Sequence, residues 1–300
     1  MMYKKYIKQF MSKAKFSSED SEYLLSAYDN IKRNPDAHFI LMSKVRLFDL
    51  DILHDYKRAL SELQKVADIC ELPKETVNLI FLMCLTRHTE ELYEQRNIDK
   101  DIYMNSMLDL KWKLVECKKM KKICGTDAAE WHWRFFNLTR FAIGRLQFET
   151  DFSNHKYIKG EHMVYPGDTV ISVHIPSCGM LDELQVIDSY IKAENFYKDL
   201  FGKGAVPFMC YSWLLYPQHD KILPKESNIR KFKNRYDIVD YTVNSGDDLW
   251  RIFYTDKREN PNTYPQTTSL QRAYVKMLNS GIKPGCGCGF FFMKNGSFIK

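Results

Sequence analysis

One strand-loop-helix segment combines residue types that bind anions. A strand predicted over residues 169–175 leads into a short loop at 176–179, and an amphipathic helix is predicted over 181–200. The first N–H groups of a helix have no partner inside it, and the helix dipole favours negative charge at that end. Gly179 has no Cβ, so a phosphate can approach the backbone there. The segment predicts a phosphate or pyrophosphate site; the alternative is an ordinary turn that binds nothing.

Cysteines offer two further kinds of chemistry. Cys178 lies just before the predicted helix, where the helix dipole favours a thiolate, and His174 is close in sequence, so a covalent cysteine mechanism is one alternative. Cys286 and Cys288 form a C-x-C pair, which supplies only two of the four ligands that a zinc site usually has. We therefore expect no metal, and we interpret the glycine-rich 285–289 segment as the loop that leads into a final strand.

The elements that must position these residues differ between the two halves of the chain. Up to about residue 125, apolar residues recur three and four positions apart, which predicts a bundle of helices. After Gly125, short strand patterns alternate with helix patterns, which is typical of a mixed α and β domain. We predict two domains, at 1–125 and 126–300. In the second, the predicted strands are 145–152, 169–175, 207–216, 238–243, 249–254 and 290–293, and the predicted helices are 181–200, 227–235 and 269–278.

Composition limits the possible partners. The 300 residues include 44 basic and 38 acidic side chains, a net charge of +6, without the clustered charge typical of nucleic-acid binding. The N-terminal residues lack the uninterrupted apolar stretch of an export signal, and no apolar run is long enough to cross a bilayer. We expect a soluble cytoplasmic protein that binds neither nucleic acid nor membrane.

Several segments resemble a known family. They are Gly144-Arg145-Leu146-Gln147-Phe148-Glu149, His174-Ile175-Pro176 with Gly179, and Ser212-Trp213-Leu214-Leu215 with Ser227-Asn228-Ile229. Together with the order of elements, they are similar to bacterial GNAT-like acyltransferases that join a helical N-terminal domain to a GNAT-like C-terminal domain. The resemblance implies an α+β fold whose second domain is a mixed, mostly antiparallel sheet with flanking helices.

The same resemblance implies an acyl-CoA co-substrate. The donor would be acetyl-CoA or another acyl-CoA, and the acceptor the amine of a small molecule or a peptide. The backbone amides of Ser177, Cys178, Gly179 and Met180 would hold the pyrophosphate, and the strand edge from Val173 to Ile175 would pair with pantetheine. The loop departs from the family pattern, Gln or Arg-x-x-Gly-x-Gly or Ala: it keeps one glycine, and Ser177 stands where a basic or amide side chain is expected.

Direct attack on the thioester requires a base and an acid. Glu149 is the first candidate base, because it shares a polar strand face with Arg145 and Gln147, and His174 is the alternative. Ser212, or else Tyr216, would protonate the departing thiolate. Two other interpretations stay open: the polar row around Glu149 is a solvent face, or the chain is a non-catalytic ligand-binding or regulatory protein of GNAT-like shape. The sequence does not indicate an oligomeric state.

Overall fold

The computed structural model describes residues 2–50, 56–244, 247–255 and 260–299. The chain divides into two compact units, Met1–Phe141 and Ala142–Lys300. The first is helical, and the second combines a mixed sheet with helices, so the predicted α+β fold class is confirmed.

The helices of the first unit pack around one central helix. They are α1 (Met2–Lys13), α2 (Ser18–Arg33), α3 (Pro35–Leu50), α4 (Tyr56–Cys70), α5 (Lys74–Gln95), α6 (Lys100–Met107), α7 (Asp109–Lys121) and α8 (Ala129–Phe136). Every residue of α5 from Thr76 to Thr86 is buried, so α5 forms the centre of the bundle. The apolar residues from Tyr103 to Cys117 recur three and four positions apart, as in one continuous helix, but they belong to two helices, α6 and α7. Leu108 between them keeps right-handed helical dihedral angles, which explains why the apolar periodicity does not reveal the division.

The second unit is built on one sheet. The strands are β1 (Arg140–Ile143), β2 (Leu146–Phe152), β3 (Tyr157–Lys159), β4 (His162–Val164), β5 (Thr169–His174), β6 (Val206–Ser212), β7 (Asp237–Val243), β8 (Gly285–Lys294) and β9 (Ser297–Phe298). The main sheet has the order β1-β2-β5-β6-β8-β7, with β9 on β8, while β3 and β4 form a separate hairpin. The β5–β6 pair is parallel, whereas β2–β5, β6–β8, β7–β8 and β8–β9 are antiparallel.

Different elements cover the two faces of this sheet. The helices of the unit are α9 (Glu183–Tyr197), α10 (His219–Ile222), α11 (Asn228–Lys233), α12 (Asp247–Phe253) and α13 (Ser269–Asn279). On one face, Tyr190 of α9 packs edge-on against Phe148 and Phe208 of the sheet. On the other face, Tyr157 of the β3–β4 hairpin stacks on Phe290 at 5.4 Å between ring centroids. We call these the α9 face and the hairpin face.

Two elements of the second unit differ from the sequence prediction. The predicted strand at 249–254 is helix α12, because Leu249, Ile252 and Phe253 have the spacing of one helical stripe and pack in a cluster with Tyr264. The last strand begins five residues earlier than predicted and includes the glycines. A Cβ at Gly287 would lie 2.4 Å from the carbonyl oxygen of Leu215, so only glycine fits this approach of two backbones.

Candidate functional site

The pairing between the parallel strands β5 and β6 stops before their C-terminal ends. Their paired residues are Ile171 with Phe208 and Ser172 with Met209. Beyond these pairs, β5 continues to His174 and β6 to Ser212, but among the described residues the two strands do not pair with each other there. The backbone of the predicted pantetheine edge, Val173 to Ile175, therefore lines a gap in the sheet. A gap of this kind exposes unpaired backbone groups to which an extended ligand can hydrogen-bond.

The predicted anion loop follows β5 directly. Ser177, Gly179 and Met180 are exposed, and Cys178 is partly buried. Gly179 has a φ of +113°, and nothing lies within 4 Å of the position that a Cβ would occupy. This backbone conformation favours glycine and leaves one side of the loop open.

Helix α9 starts two residues later than predicted. Its first residue is Glu183, and the carboxylate of Asp182 accepts a hydrogen bond from the backbone N–H of Gln185. An acidic N-cap already satisfies part of the first helical turn. The four residues predicted to hold a pyrophosphate, 177–180, thus belong to the loop before the helix. Because the N–H of Gln185 is already bonded to Asp182, the loop amides would have to bind a pyrophosphate without it.

Arg145 lies against this loop. Its guanidinium donates hydrogen bonds to three carbonyl oxygens, those of Pro176 (3.1 Å), Gly179 (2.7 Å) and Met180 (3.0 Å). Its backbone N–H donates to the hydroxyl of Ser189 in α9, which anchors the turn before β2. The sequence pattern predicts Arg145 in a polar strand row but does not indicate these contacts. The one feature of the sequence that points to a basic residue from elsewhere in the chain is the absence of a basic side chain in the loop itself.

Glu149 and His174 form a hydrogen-bonded pair on the hairpin face. The Nε2 atom of His174 lies 2.6 Å from Oε1 of Glu149. The carboxylate is almost fully buried, with 3% of its side chain exposed, whereas 22% of the imidazole is exposed. Burial of Arg145, Gln147 and Glu149 shows that this polar row is not a solvent face, which corrects that alternative. The two candidate bases are therefore brought together, and the histidine is the more accessible of them.

The candidate acids on and after β6 lie apart from this pair. Side chains alternate along a strand, and the register with β8 places Phe208, Cys210 and Ser212 on the α9 face. The Ser212 hydroxyl accepts a hydrogen bond from the backbone N–H of Leu214. Tyr216 is buried, and its hydroxyl donates to the carbonyl oxygen of Lys283, so it packs structurally.

Tyr211 is a further hydroxyl side chain close to the gap, and it is not among the candidate acids predicted from the sequence. It lies on the same face as His174, its side chain is half exposed, and its hydroxyl is 2.8 Å from Oγ1 of Thr242. The β5–β6 register, continued from Ser172 and Met209, places it level with His174 across the gap.

Across the described ranges, no three His, Cys, Asp or Glu side chains come together as a metal site. No helix in the described part of the chain has both the length and the apolar character needed to cross a bilayer.

Solved structures confirm the fold over nearly the whole chain. An acyltransferase in complex with decanoyl-CoA and teicoplanin superposes with a TM-score of 0.73 and 17% identity, covering 95% of this chain and 87% of that chain. An acyltransferase mutant in complex with octanoyl-CoA gives a TM-score of 0.72 at 17% identity, covering 95% and 87%. An acyltransferase in complex with decanoyl-CoA gives 0.62 at 18% identity, covering 95% and 98%. No curated protein sequence matches the chain significantly.

Family models match both parts of the chain. The N-acyltransferase N-terminal domain matches residues 5–138, and the GNAT-like C-terminal domain matches residues 140–291. The second match covers half of the chain and includes the strand gap, the loop and the Glu149–His174 pair. The chain therefore belongs to the GNAT-like acyltransferases that carry an N-acyltransferase N-terminal domain and a GNAT-like C-terminal domain.

Proposed function

We propose that the protein transfers an acyl group from acyl-CoA to an amine by direct attack. The observation that carries this proposal is the 2.6 Å contact between buried Glu149 and partly exposed His174, at the end of the strand that borders the gap. A buried carboxylate bonded to an imidazole fixes the ring tautomer and stabilises the imidazolium that forms when the ring takes a proton. This arrangement suits a general base better than a surface ion pair.

The gap and the loop supply a place for the donor. Pantetheine would hydrogen-bond to the β5 backbone from Val173 to Ile175, and the diphosphate would meet the amides of Ser177 to Met180. The similar acyltransferases were solved with decanoyl-CoA, octanoyl-CoA and CoA, which supports an acyl-CoA donor here. Acetyl-CoA is the shortest donor to test, and octanoyl-CoA and decanoyl-CoA are the longer ones.

The reaction needs one proton removed and one returned. The amine nitrogen attacks the thioester carbonyl carbon, the N–C bond forms, and Nδ1 of His174 takes the proton of the attacking nitrogen while Glu149 holds Nε2–H. Collapse of the tetrahedral intermediate breaks the C–S bond, and the thiolate leaves and takes a proton. Ser212 is the donor predicted from the sequence, and Tyr211 is the hydroxyl on the face of His174, so Ser212→Ala and Tyr211→Phe test the two in parallel.

The acceptor is proposed as the amine of a small molecule or peptide. Two of the similar acyltransferases were solved in complex with teicoplanin or 10C-teicoplanin, which supports a small-molecule or peptide acceptor here. A panel of amino sugars and short peptides with free amines covers this range.

The first experiment is a thermal-shift titration of the full chain with CoA, acetyl-CoA, octanoyl-CoA and decanoyl-CoA. Saturable stabilisation is expected, because a ligand that binds only the folded state raises the melting temperature. Release of free thiol from the stabilising donors, in the presence of the amine panel, then measures transfer. Absence of any shift with all four ligands would contradict the proposal. A shift without thiol release by any acceptor would favour the alternative of a non-catalytic binding protein.

A further inference from the structure

Arg145 is a buried cation whose charge is not balanced by a carboxylate. The residue is 8% exposed, and each nitrogen of its guanidinium donates to a neutral carbonyl oxygen of the 176–180 loop. Within the described residues, no Asp or Glu oxygen lies within ion-pair distance of it. Two other cations of this unit that are buried or half-buried are paired with carboxylates: Lys233 bonds to Asp220, and Arg235 bonds to Glu183. A buried charge normally needs a partner charge, so an anion close to this loop would complete the site.

The three hydrogen bonds also determine where the amides of the loop point. In a trans peptide the N–H of the next residue points opposite to the C=O, and the structure contains no cis peptide among its described bonds. Because the carbonyls of Pro176, Gly179 and Met180 turn towards Arg145, the N–H groups of Ser177, Met180 and Leu181 turn away from it. The N–H groups of Met180 and Leu181 are adjacent in the chain and both point away from Arg145, and successive N–H groups of this kind can form an anion-binding concavity. The open side of Gly179 lies on this loop as well.

Arg145 is held in place independently of any ligand. The preceding Gly144 has a φ of +66°, and a Cβ there would lie 2.6 Å from Oγ of Ser189. That hydroxyl accepts the backbone N–H of Arg145 at 2.6 Å and donates to the carbonyl oxygen of Gln185. The turn is thereby attached to α9, the helix that follows the loop. Arg145 and the loop are therefore fixed on the same helix, which preserves their geometry in the absence of donor.

We infer that Arg145 is the positioning residue of the diphosphate subsite. Its guanidinium, bonded to the carbonyl side of the loop, supplies the positive charge that no side chain of the loop itself supplies. This inference rests on the proposed acyl-CoA function. Arg145 does not touch the donor; it orients the loop amides and adds an uncompensated positive charge behind them. The short loop, whose one glycine is Gly179, can then bind a diphosphate, since the guanidinium fixes its conformation together with that glycine.

The test compares Arg145→Lys and Arg145→Gln with Arg272→Lys in the full chain. Lysine keeps the charge, but its three donors lie on one nitrogen and cannot reproduce the planar fork that reaches three separate carbonyls, and glutamine keeps two polar hydrogens without the charge. Arg272 is the matched control, because its guanidinium also donates to backbone carbonyls, of Gln266 and Thr267, but far from the loop in sequence and exposed. Calorimetry with CoA measures the dissociation constant, and steady-state assays with varied acyl-CoA at a fixed amine concentration measure the KM for acyl-CoA and kcat.

Both Arg145 variants are expected to raise the dissociation constant for CoA and the KM for acyl-CoA at least about 10-fold, with kcat within about 2-fold and Arg272→Lys unchanged. Arg145→Gln should raise the dissociation constant more than Arg145→Lys, and CoA binding by the Gln variant should depend less on salt, because the variant has lost the charge that salt screens. Folded Arg145 variants that bind CoA as the original chain does would overturn the inference, and so would a fall in kcat that parallels a fall in melting temperature. Failure of the unaltered protein to bind CoA would instead overturn the proposed function. If one Arg145 variant does not fold, as judged by circular dichroism, the other decides.

Discussion

The side chains of Glu149 and His174 meet diagonally across two antiparallel strands. Directly opposite residues in the β2–β5 register are Gln147 with His174 and Glu149 with Ser172. The 2.6 Å contact therefore joins residues displaced by one same-face step, which long side chains span. The register places the carboxylate inside the sheet and the imidazole at its end, next to the loop.

His174→Asn and Glu149→Gln should reduce kcat while leaving CoA binding almost unchanged. Loss of a general base typically lowers the rate by about 10²–10⁴-fold, and loss of the residue that orients it has a smaller effect. His155→Asn is the matched control, because His155 is a partly exposed histidine that also contacts a carboxylate, Asp240 at 3.3 Å. Steady-state kinetics with a saturating donor give kcat, and calorimetry gives CoA affinity.

The relative size of the two losses identifies the base. A loss for Glu149→Gln that exceeds the loss for His174→Asn would assign proton removal to the carboxylate, and full activity of His174→Asn would exclude the histidine.

Gly179→Ala should weaken CoA binding, whereas Gly167→Ala should not. Both glycines have positive φ, +113° and +94°, and neither has an atom within 4 Å of a Cβ position, so alanine brings comparable backbone strain to both. Only Gly179 lies in the proposed diphosphate loop; Gly167 lies in the turn before β5. A Kd for CoA raised at least about 10-fold in the first variant alone is expected by calorimetry. Equal affinities of the two variants would contradict the assignment of the loop.

The strand-loop-helix segment was predictable because its signals are local. A strand pattern, a loop of small residues and an amphipathic helix follow one another in the chain, and the structure places them within about two residues of the prediction. The sequence also indicated Glu149 and His174 as two alternative candidate bases. Their contact was not predictable, because it depends on the register of β2 with β5, two strands that are not adjacent in the chain.

Two other features depend on long-range packing. The bonds of Arg145 to a loop more than 30 residues away cannot be derived from the alternation of its own strand. The segment at 249–254 is short and apolar, so periodicity alone does not distinguish strand from helix. Packing against Tyr264 and Tyr274 decides for the helix.

Gly287→Ala should destabilise the second unit strongly. A Cβ there would meet the backbone of Leu215 at 2.4 and 2.8 Å, and a backbone cannot move aside as a flexible side chain can. Overpacking of this kind costs at least about 2 kcal/mol. Gly204→Ala is the control, since its Cβ would meet one carbonyl oxygen at 3.0 Å. Chemical denaturation measures both, and equal stabilities of the two variants would show that β8 can shift away from the segment that follows β6.

The stability of the protein should fall as the pH falls from about 6.5 to about 4 because of His219. Burial lowers the pKa of this histidine from 6.5 to about 4, and its ring contacts Trp213, Tyr216 and Tyr274. The unfolded chain therefore binds a proton that the folded chain does not in this range. The contribution is fully present above pH 6.5 and is lost as the pH approaches 4, up to about 3 kcal/mol at 1.36 kcal/mol for each pKa unit.

His219→Gln should make the free energy of unfolding less dependent on pH between 4 and 6.5, because glutamine does not titrate. Denaturant unfolding at pH 4.5 and 7.5 measures the difference for both proteins. An unchanged pH dependence in the variant would show that other groups dominate. The His219→Gln variant also separates an effect of pH on the reaction from an effect of pH on folding. A loss of activity below pH 6.5 that persists in this variant arises from the reaction. A loss that disappears in this variant arises from unfolding of the original chain.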